Sequence, residues 1–238
     1  MRIIISQPRY LPVMSYLQRL YHADLFVLLD SVQRQGRGWE NRNKLLVPDS
    51  KWLTVPISSS SRALICNTKI QDSQWITDHI SVVKRYYADA KYYDSSLLDM
   101  LEKRILETFL ESDGDYTRVI RSQLEVLCSY LGFTPQLALA TDIEKRGECA
   151  DYGPEKIRDL CVLAGATEYV SGGNGKAYGI EEAFQDSNIA VRYHHPELIE
   201  YTQQNSEFVP FMACLDTFFH LGPDRCVEIV TGDFSVAN

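Results

Sequence analysis

Two apolar runs with no polar interruption, Ile3-Ile4-Ile5 and Leu25-Phe26-Val27-Leu28-Leu29, constrain this chain more than anything else in it. A strand that is apolar at every position has to be buried on both faces. Between the runs, Pro8 and Pro12 break the first strand, and Leu17, Leu20 and Tyr21 mark one face of a short helix. Strand, helix, strand in this order reads as a right-handed parallel crossover. The expected fold class is α/β: a Rossmann-like, mostly parallel sheet with flanking helices and a helical insertion in the middle.

The rest of the chain fits that expectation. Residues 44–47 and 52–57 read as two strands around a Pro48-Asp49-Ser50 turn, and the serine run 58–62 as an exposed, mobile loop. Three helical patterns follow, on Ile76, Ile80, Val83 and Tyr87, on Leu98, Leu101, Ile105 and Phe109, and on Tyr116, Val119, Ile120, Leu124, Leu127 and Leu131. Ser95 or Ser96 is the expected cap of the second and Asp115 of the third, which Gly132 and Pro135 end. Strands are then expected at 136–140, 167–171 and 189–194, with helices from Pro154 to Gly165, over 180–186 and over 211–221. The stretch from Pro223 adds a further turn or helix. No repeat or linker divides residues 1–238, so one domain is expected. Its central helices, at about residues 73–133, form a subdomain or cover one sheet face.

A net charge of −8 argues against general nucleic-acid binding and against anionic membrane surfaces. No apolar run approaches the roughly 20 residues of a membrane helix. Six scattered cysteines without a Cys-x-x-Cys pair, and no export signal, point to reduced thiols and a cytoplasmic location. Cys128 and Cys161, in apolar helical stretches, read as core residues.

Candidate ligand residues gather past the strand ends. Gln7 and Tyr10 lie on the loop after the first strand, where doubly wound sheets bind ligands; the alternative is a rigid turn with Tyr10 packed. Asp30 with Gln33 follows the second strand, either as a carboxylate for a ribose, a metal or a substrate amine or as a turn cap or partner of Arg42. Trp39, Asn41, Arg42 and Asn43 make a sugar or phosphate reader, or else the start of a hairpin. Ser171, Gly172, Gly173, Lys176 and Tyr178 sit on a glycine-rich strand-to-helix turn that suits an anion or is a plain flexible connection. Asp216 and His220, four apart on a helix, share a face as an acid/base pair or as a cap or ion pair. His194 and His195 end a strand pointing to opposite faces, no Cys/His set has zinc spacing, and no metal is expected.

The chain resembles the WbqC-like protein family in Gln7-Pro8-x-Tyr10-x-Pro12, Tyr16-Leu17, Ala23-Asp24-x-Phe26-Val27, Asp30-x-Val32-Gln33, Trp39-x-Asn41-Arg42-Asn43 and Leu53-Thr54-Val55-Pro56. The resemblance continues through Gly165-Ala-Thr-Glu-Tyr169, Ser171-Gly172 with Gly175-x-x-Tyr178, Tyr201-x-Gln203 with Phe208-x-Pro210, and Leu215-Asp216, and so covers essentially the whole chain. It implies a cytoplasmic enzyme of bacterial O-antigen and surface-polysaccharide biosynthesis. The implied reaction is transfer of an amino acid such as glycine, or another acyl group, to the amine of an amino sugar. One departure is Ser6, where many relatives carry His or Met ahead of Gln-Pro.

The expected function is therefore an acyl or aminoacyl transferase acting on an amino sugar, nucleotide-linked or otherwise activated. It uses an activated acyl donor of unspecified kind. Asp30 or His220, the latter paired with Asp216, is the expected base, with Arg42 and Lys176 on phosphates. Two alternatives stand beside it. One is an ATP-dependent adenylating or nucleotidyltransferase-like enzyme, although Pro12-Val-Met-Ser15 replaces the His-x-Gly-His of that class. The other is a non-catalytic assembly protein of a polysaccharide pathway.

Overall fold

The computed structural model describes residues 1–35, 38–46, 51–58, 60, 62–204 and 207–237, with Lys51 and Asn174 as backbone alone. The expected Pro48-Asp49-Ser50 turn, and Ser59 and Ser61 of the serine run, lie outside the described residues.

Both apolar runs are strands. β1 (Arg2–Ser6) leads through α1 (Met14–His22) to β2 (Leu25–Leu28), its parallel neighbour. A hairpin of β3 (Arg42–Leu45) and β4 (Lys51–Thr54) and three helices, α2 (Gln74–Tyr87), α3 (Ser95–Glu111) and α4 (Tyr116–Tyr130), form the insertion. The alternation resumes with β5 (Leu137–Leu139), α5 (Ala140–Glu144), α6 (Gly153–Leu163), β6 (Glu168–Gly172), α7 (Ile180–Phe184) and β7 (Ala190–His194). It ends with α8 (Cys214–Leu221), α9 (Pro223–Thr231) and β8 (Val236–Ala237). The sheet runs β5-β2-β1-β6-β7-β8, parallel except for β8. The chain thus winds outward both ways from β1 and β6, the doubly wound α/β arrangement.

Alternation along each strand divides the core. Ile4, Phe26, Leu28 and Val170 face α1, the three inserted helices, α8 and α9. Ile3, Ile5, Val27 and Tyr169 face α5, α6 and α7. Side chains of α2, α3 and α4, among them Ile76, Leu98 and Leu124, join the same apolar cluster as Ile4 and Phe26.

Three local expectations need correction. Asp94, not Ser95 or Ser96, caps α3, accepting hydrogen bonds from the Ser96 N–H and hydroxyl at 2.9 and 2.6 Å. A carboxylate reaches the free N–H groups of the first turn better than the serines that follow it, and the Ser96 hydroxyl holds its pKa below the ordinary range. Tyr21 is exposed against Phe133, and Tyr16 takes its place on the buried stripe with Leu17 and Leu20. The helix expected over 211–221 begins only at Cys214, because Phe211 is left-handed, with φ 60°.

Candidate functional site

The carboxyl edge of the sheet opens at the winding reversal. β1 and β6 pair only at Arg2↔Glu168 and Ile3↔Tyr169. By contrast, β1 stays paired with β2 out to Ser6↔Leu28, and β6 with β7 out to Gly172↔His194. The two central strands therefore part toward their carboxyl ends, between the loop that carries Gln7 and the 3-10 turn Gly173–Tyr178.

The Gln7 loop is held rigid at a strained residue. Leu11 adopts φ 40°, which costs a non-glycine residue about 1–3 kcal/mol unless its surroundings fix it. The Leu11 N–H donates to Gln123 Oε1 at 3.0 Å, and the Leu11 carbonyl accepts from Asn43 Nδ2. Gln7 is partly exposed, and its carbonyl accepts from the Tyr16 hydroxyl at 2.9 Å. Tyr10 is buried against Trp75 and bonds His79 Nδ1 at 2.9 Å, so it anchors the loop on α2. Asn43→Ala is expected to cost about 1–3 kcal/mol by orphaning the Leu11 carbonyl, measured by urea denaturation.

The Trp39–Asn43 block splits in two. Asn41 Nδ2 donates to the Val55 carbonyl, and Asn43 is the clamp just described, so both amides face the interior. Glu40 is also buried, and its carbonyl accepts from the Tyr10 N–H and the Tyr116 hydroxyl. Trp39 and Arg42 face outward. Trp39 is 39% exposed with its ring 5.0 Å from Trp52, over which the Arg42 guanidinium stacks at 4.4 Å. Gln33 is exposed nearby and donates to the Arg62 carbonyl.

Asp30 lies past β2, buried, with one carboxylate oxygen accepting from the Thr141 N–H at 3.0 Å and the other from the Thr141 hydroxyl at 2.8 Å. It caps the first turn of α5. Burial raises its pKa, the Thr141 hydrogen bonds lower it, and Glu144 raises it again. Glu144 accepts from Ser31 and pairs with Lys156 Nζ at 2.7 Å. These groups tie β2, α5 and α6 together.

Past β6, a Cβ on Gly175 would lie 2.0 Å from Ser171 Oγ, so only glycine lets the turn settle on that hydroxyl. Lys176 is exposed with Nζ 4.8 Å from the Tyr193 ring centre, and Tyr178 is 69% exposed. Gly173 lies against His195, whose Nδ1 is 3.6 Å from where a Cβ would be. His195 and His194 both border a cavity of about 350 Å³ between the start of α1, the end of β7, and α8 and α9, with Tyr201, Phe208 and Arg225 on its walls.

His194 is buried on this wall and bonds Gln18 Oε1 at 3.1 Å. Burial lowers its pKa from 6.5 to about 4, helped by the charges of Arg19, His22 and His195. The unfolded chain therefore takes up this proton before the folded one does. Stability is intact above pH 6.5 and falls as pH drops from there toward 4. A loss on the order of 2 kcal/mol is expected over that window, discounted for the open cavity beside the ring. His194→Gln should flatten that part of the stability–pH curve.

Asp216 is fully buried. Its carboxylate accepts from Tyr87 at 2.8 Å, Tyr201 at 2.6 Å and Gln203 at 3.0 Å. His220 Nδ1 lies 2.7 Å from the Asp216 carbonyl and 3.6 Å from its carboxylate. This pair meets as its spacing implied, but inside a network that fastens Tyr201 and Gln203 to α2 and α8.

The model of the WbqC-like protein family matches residues 7–228. This chain belongs to the WbqC-like protein family. An uncharacterized protein of Mycobacterium tuberculosis is 30% identical to this WbqC-like protein over 227 residues, covering 94% of this chain and 95% of the relative. No solved structure matches it.

In this WbqC-like protein the matching blocks converge. The Gln-Pro loop and the Trp-x-Asn-Arg-Asn block join through Tyr10, Leu11 and Asn43, and the Cys214 N–H donates to the Pro12 carbonyl at 2.8 Å, bringing α8 onto the same loop. Asp30 and the Gly172 turn occupy other stretches of the same sheet edge. His195 is the first residue past β7, a position legible in the sequence, which gave it no role beside His194. Among the described residues no three His, Cys, Asp or Glu side chains converge as a metal site would need, and no helix is long and apolar enough to cross a membrane.

Proposed function

We propose that this WbqC-like protein is a transferase that forms an amide on the amine of an activated amino sugar in bacterial surface-polysaccharide biosynthesis, with an amino acid or other acyl group as cargo. The observation that carries this reading is the parting of β1 and β6 at the winding reversal, beside a 350 Å³ cavity. A winding reversal is where doubly wound sheets bind ligands, and the cavity falls within the range of about 300–1,000 Å³ usual for small ligands.

In the reaction the sugar amine attacks the acyl carbonyl carbon, the new C–N bond forms, and the donor's leaving group departs with its electron pair. The amine must lose a proton as this happens. His195, exposed beside Gly173 on the cavity wall, is better placed to take it than Asp30 or Asp216, whose carboxylates are occupied by Thr141 and by Tyr87, Tyr201 and Gln203. Backbone N–H groups of the 173–178 turn are the nearest candidates to steady a carbonyl oxyanion.

Calorimetry with nucleotide-linked amino sugars and with ATP tests the reading. Binding of the sugar nucleotide, together with a mass gain on the sugar in extracts of cells that carry the gene, is expected. Tight ATP binding without sugar-nucleotide binding would overturn it in favour of an adenylating enzyme.

A further inference from the structure

Arg19 lies on α1, one helical turn beyond Tyr16, and its guanidinium passes 6.0 Å over the Phe26 ring toward the end of β1. There Nη2 donates to the Ile5 carbonyl at 3.3 Å. The carbonyls of Arg2 and Ser6 bond Asp24 and Leu29 on the β2 side, so by alternation those of Ile3 and Ile5 face β6. Pairing with β6 stops at Ile3. Arg19 thus takes over a carbonyl that the parted strand has left, which puts its charge in the crevice.

That charge is not compensated. Arg19 Nε is sealed from solvent with no hydrogen-bond partner, and neither Arg19 nor Arg9 forms an ion pair among the described residues. Burial works against the charge on Arg19, the nearby Arg9 adds to the opposition, and only the hydroxyls of Tyr169 and Tyr16 favour it. Those phenols are neutral at physiological pH, because burial raises them both. A buried guanidinium with a second one nearby and no carboxylate is costly, and a bound oxyanion would offset that cost.

We infer that Arg19, seconded by Arg9, is an oxyanion-binding site in the β1/β6 crevice, taking the phosphate of an activated sugar or the carboxylate of an acyl donor. This rests on the crevice being the substrate site, but not on acyl transfer. It moves the phosphate contact from Arg42, which stacks on Trp52, and from Lys176, which lies over Tyr193.

The test is calorimetry and thermal melting of the full chain with inorganic pyrophosphate and with sodium acetate, at matched ionic strength so that general screening is constant. Wild type should bind at least one of them, pyrophosphate for a phosphate site and acetate for a carboxylate site. Arg19→Gln should weaken that binding at least 30-fold and Arg9→Gln about tenfold. Without either anion, Arg19→Gln should melt at or above the wild-type temperature, because it removes an unpaired charge. If Arg19→Gln does not fold, the partly exposed Arg9→Gln decides, with unchanged affinity counting against the site. No binding of either anion by wild type, or full binding by folded Arg19→Gln, would overturn the inference. Anion binding that survives a failure to find transferase activity would leave this site standing and remove only the proposed reaction.

Discussion

Asp216→Ala is expected to destabilise the fold by about 3–5 kcal/mol, among the largest effects of any single substitution in this chain. The carboxylate is fully buried and is the common acceptor of Tyr87, Tyr201 and Gln203. Truncating it leaves the buried Tyr87 hydroxyl without an acceptor and takes one partner each from Tyr201, which keeps Thr217, and from Gln203, which keeps the Val209 carbonyl; each group left short costs about 1–3 kcal/mol, and the lost packing adds to this. Gln203 also bonds the Val209 N–H and carbonyl, so loss of Asp216 loosens the anchoring of Gln203 and Val209 beside Phe208 on the cavity wall. For a chain of this length the cost corresponds to a fall in melting temperature of about 10 °C. Asp216→Asn keeps the shape and one acceptor oxygen but turns an NH₂ toward a donor, so it should lose about half as much. A melting temperature within 2 °C or so of wild type for Asp216→Ala would show that the network is not structural.

The second large effect is asymmetric. Lys156 and Glu144 form an ion pair at 2.7 Å, with side-chain exposures of 6% and 26%. Removing the carboxylate strands a buried ammonium, whereas removing the ammonium leaves a carboxylate that water and Ser31 still reach. Glu144→Ala is therefore expected to cost about 3–5 kcal/mol, and Lys156→Met only about 1 kcal/mol. The double variant should lie near Lys156→Met, because the stranded charge is gone. Glu144→Ala also removes one of the charges that raise the Asp30 pKa, so the Asp30 carboxyl should titrate lower in that variant. Chemical denaturation of the three variants checks the order. Equal losses for the two single variants would contradict it.

The sheet was legible because its signal is local. Ile3-Ile4-Ile5 and Leu25 to Leu29 are apolar at every position, and only a strand covered on both faces can hide them. β8 was not legible, since two residues carry no periodicity and its pairing with β7 is decided by where α9 ends. Most of the candidate residues lie past the carboxyl ends of the strands, as the sequence suggested, but several of their side chains are engaged inside the fold. Asn41, Asn43 and Tyr10 look like ligand groups in a polar loop, yet each is spent on positioning backbone or packing on α2. Arg19 was passed over for the opposite reason. An arginine beside a helix's apolar stripe reads as solvent-facing, and nothing local records that β1 and β6 will part beneath it.

The proposed substrate site lies between β1 and β6. A crystal structure of the full chain soaked with a uridine-diphosphate-linked amino sugar measures that placement directly. The diphosphate is expected within hydrogen-bonding distance of Arg19 beneath the Gln7 loop, with the sugar amine turned toward His195. A diphosphate on the Trp39–Arg42 surface or against Lys176, with the crevice empty, would contradict it.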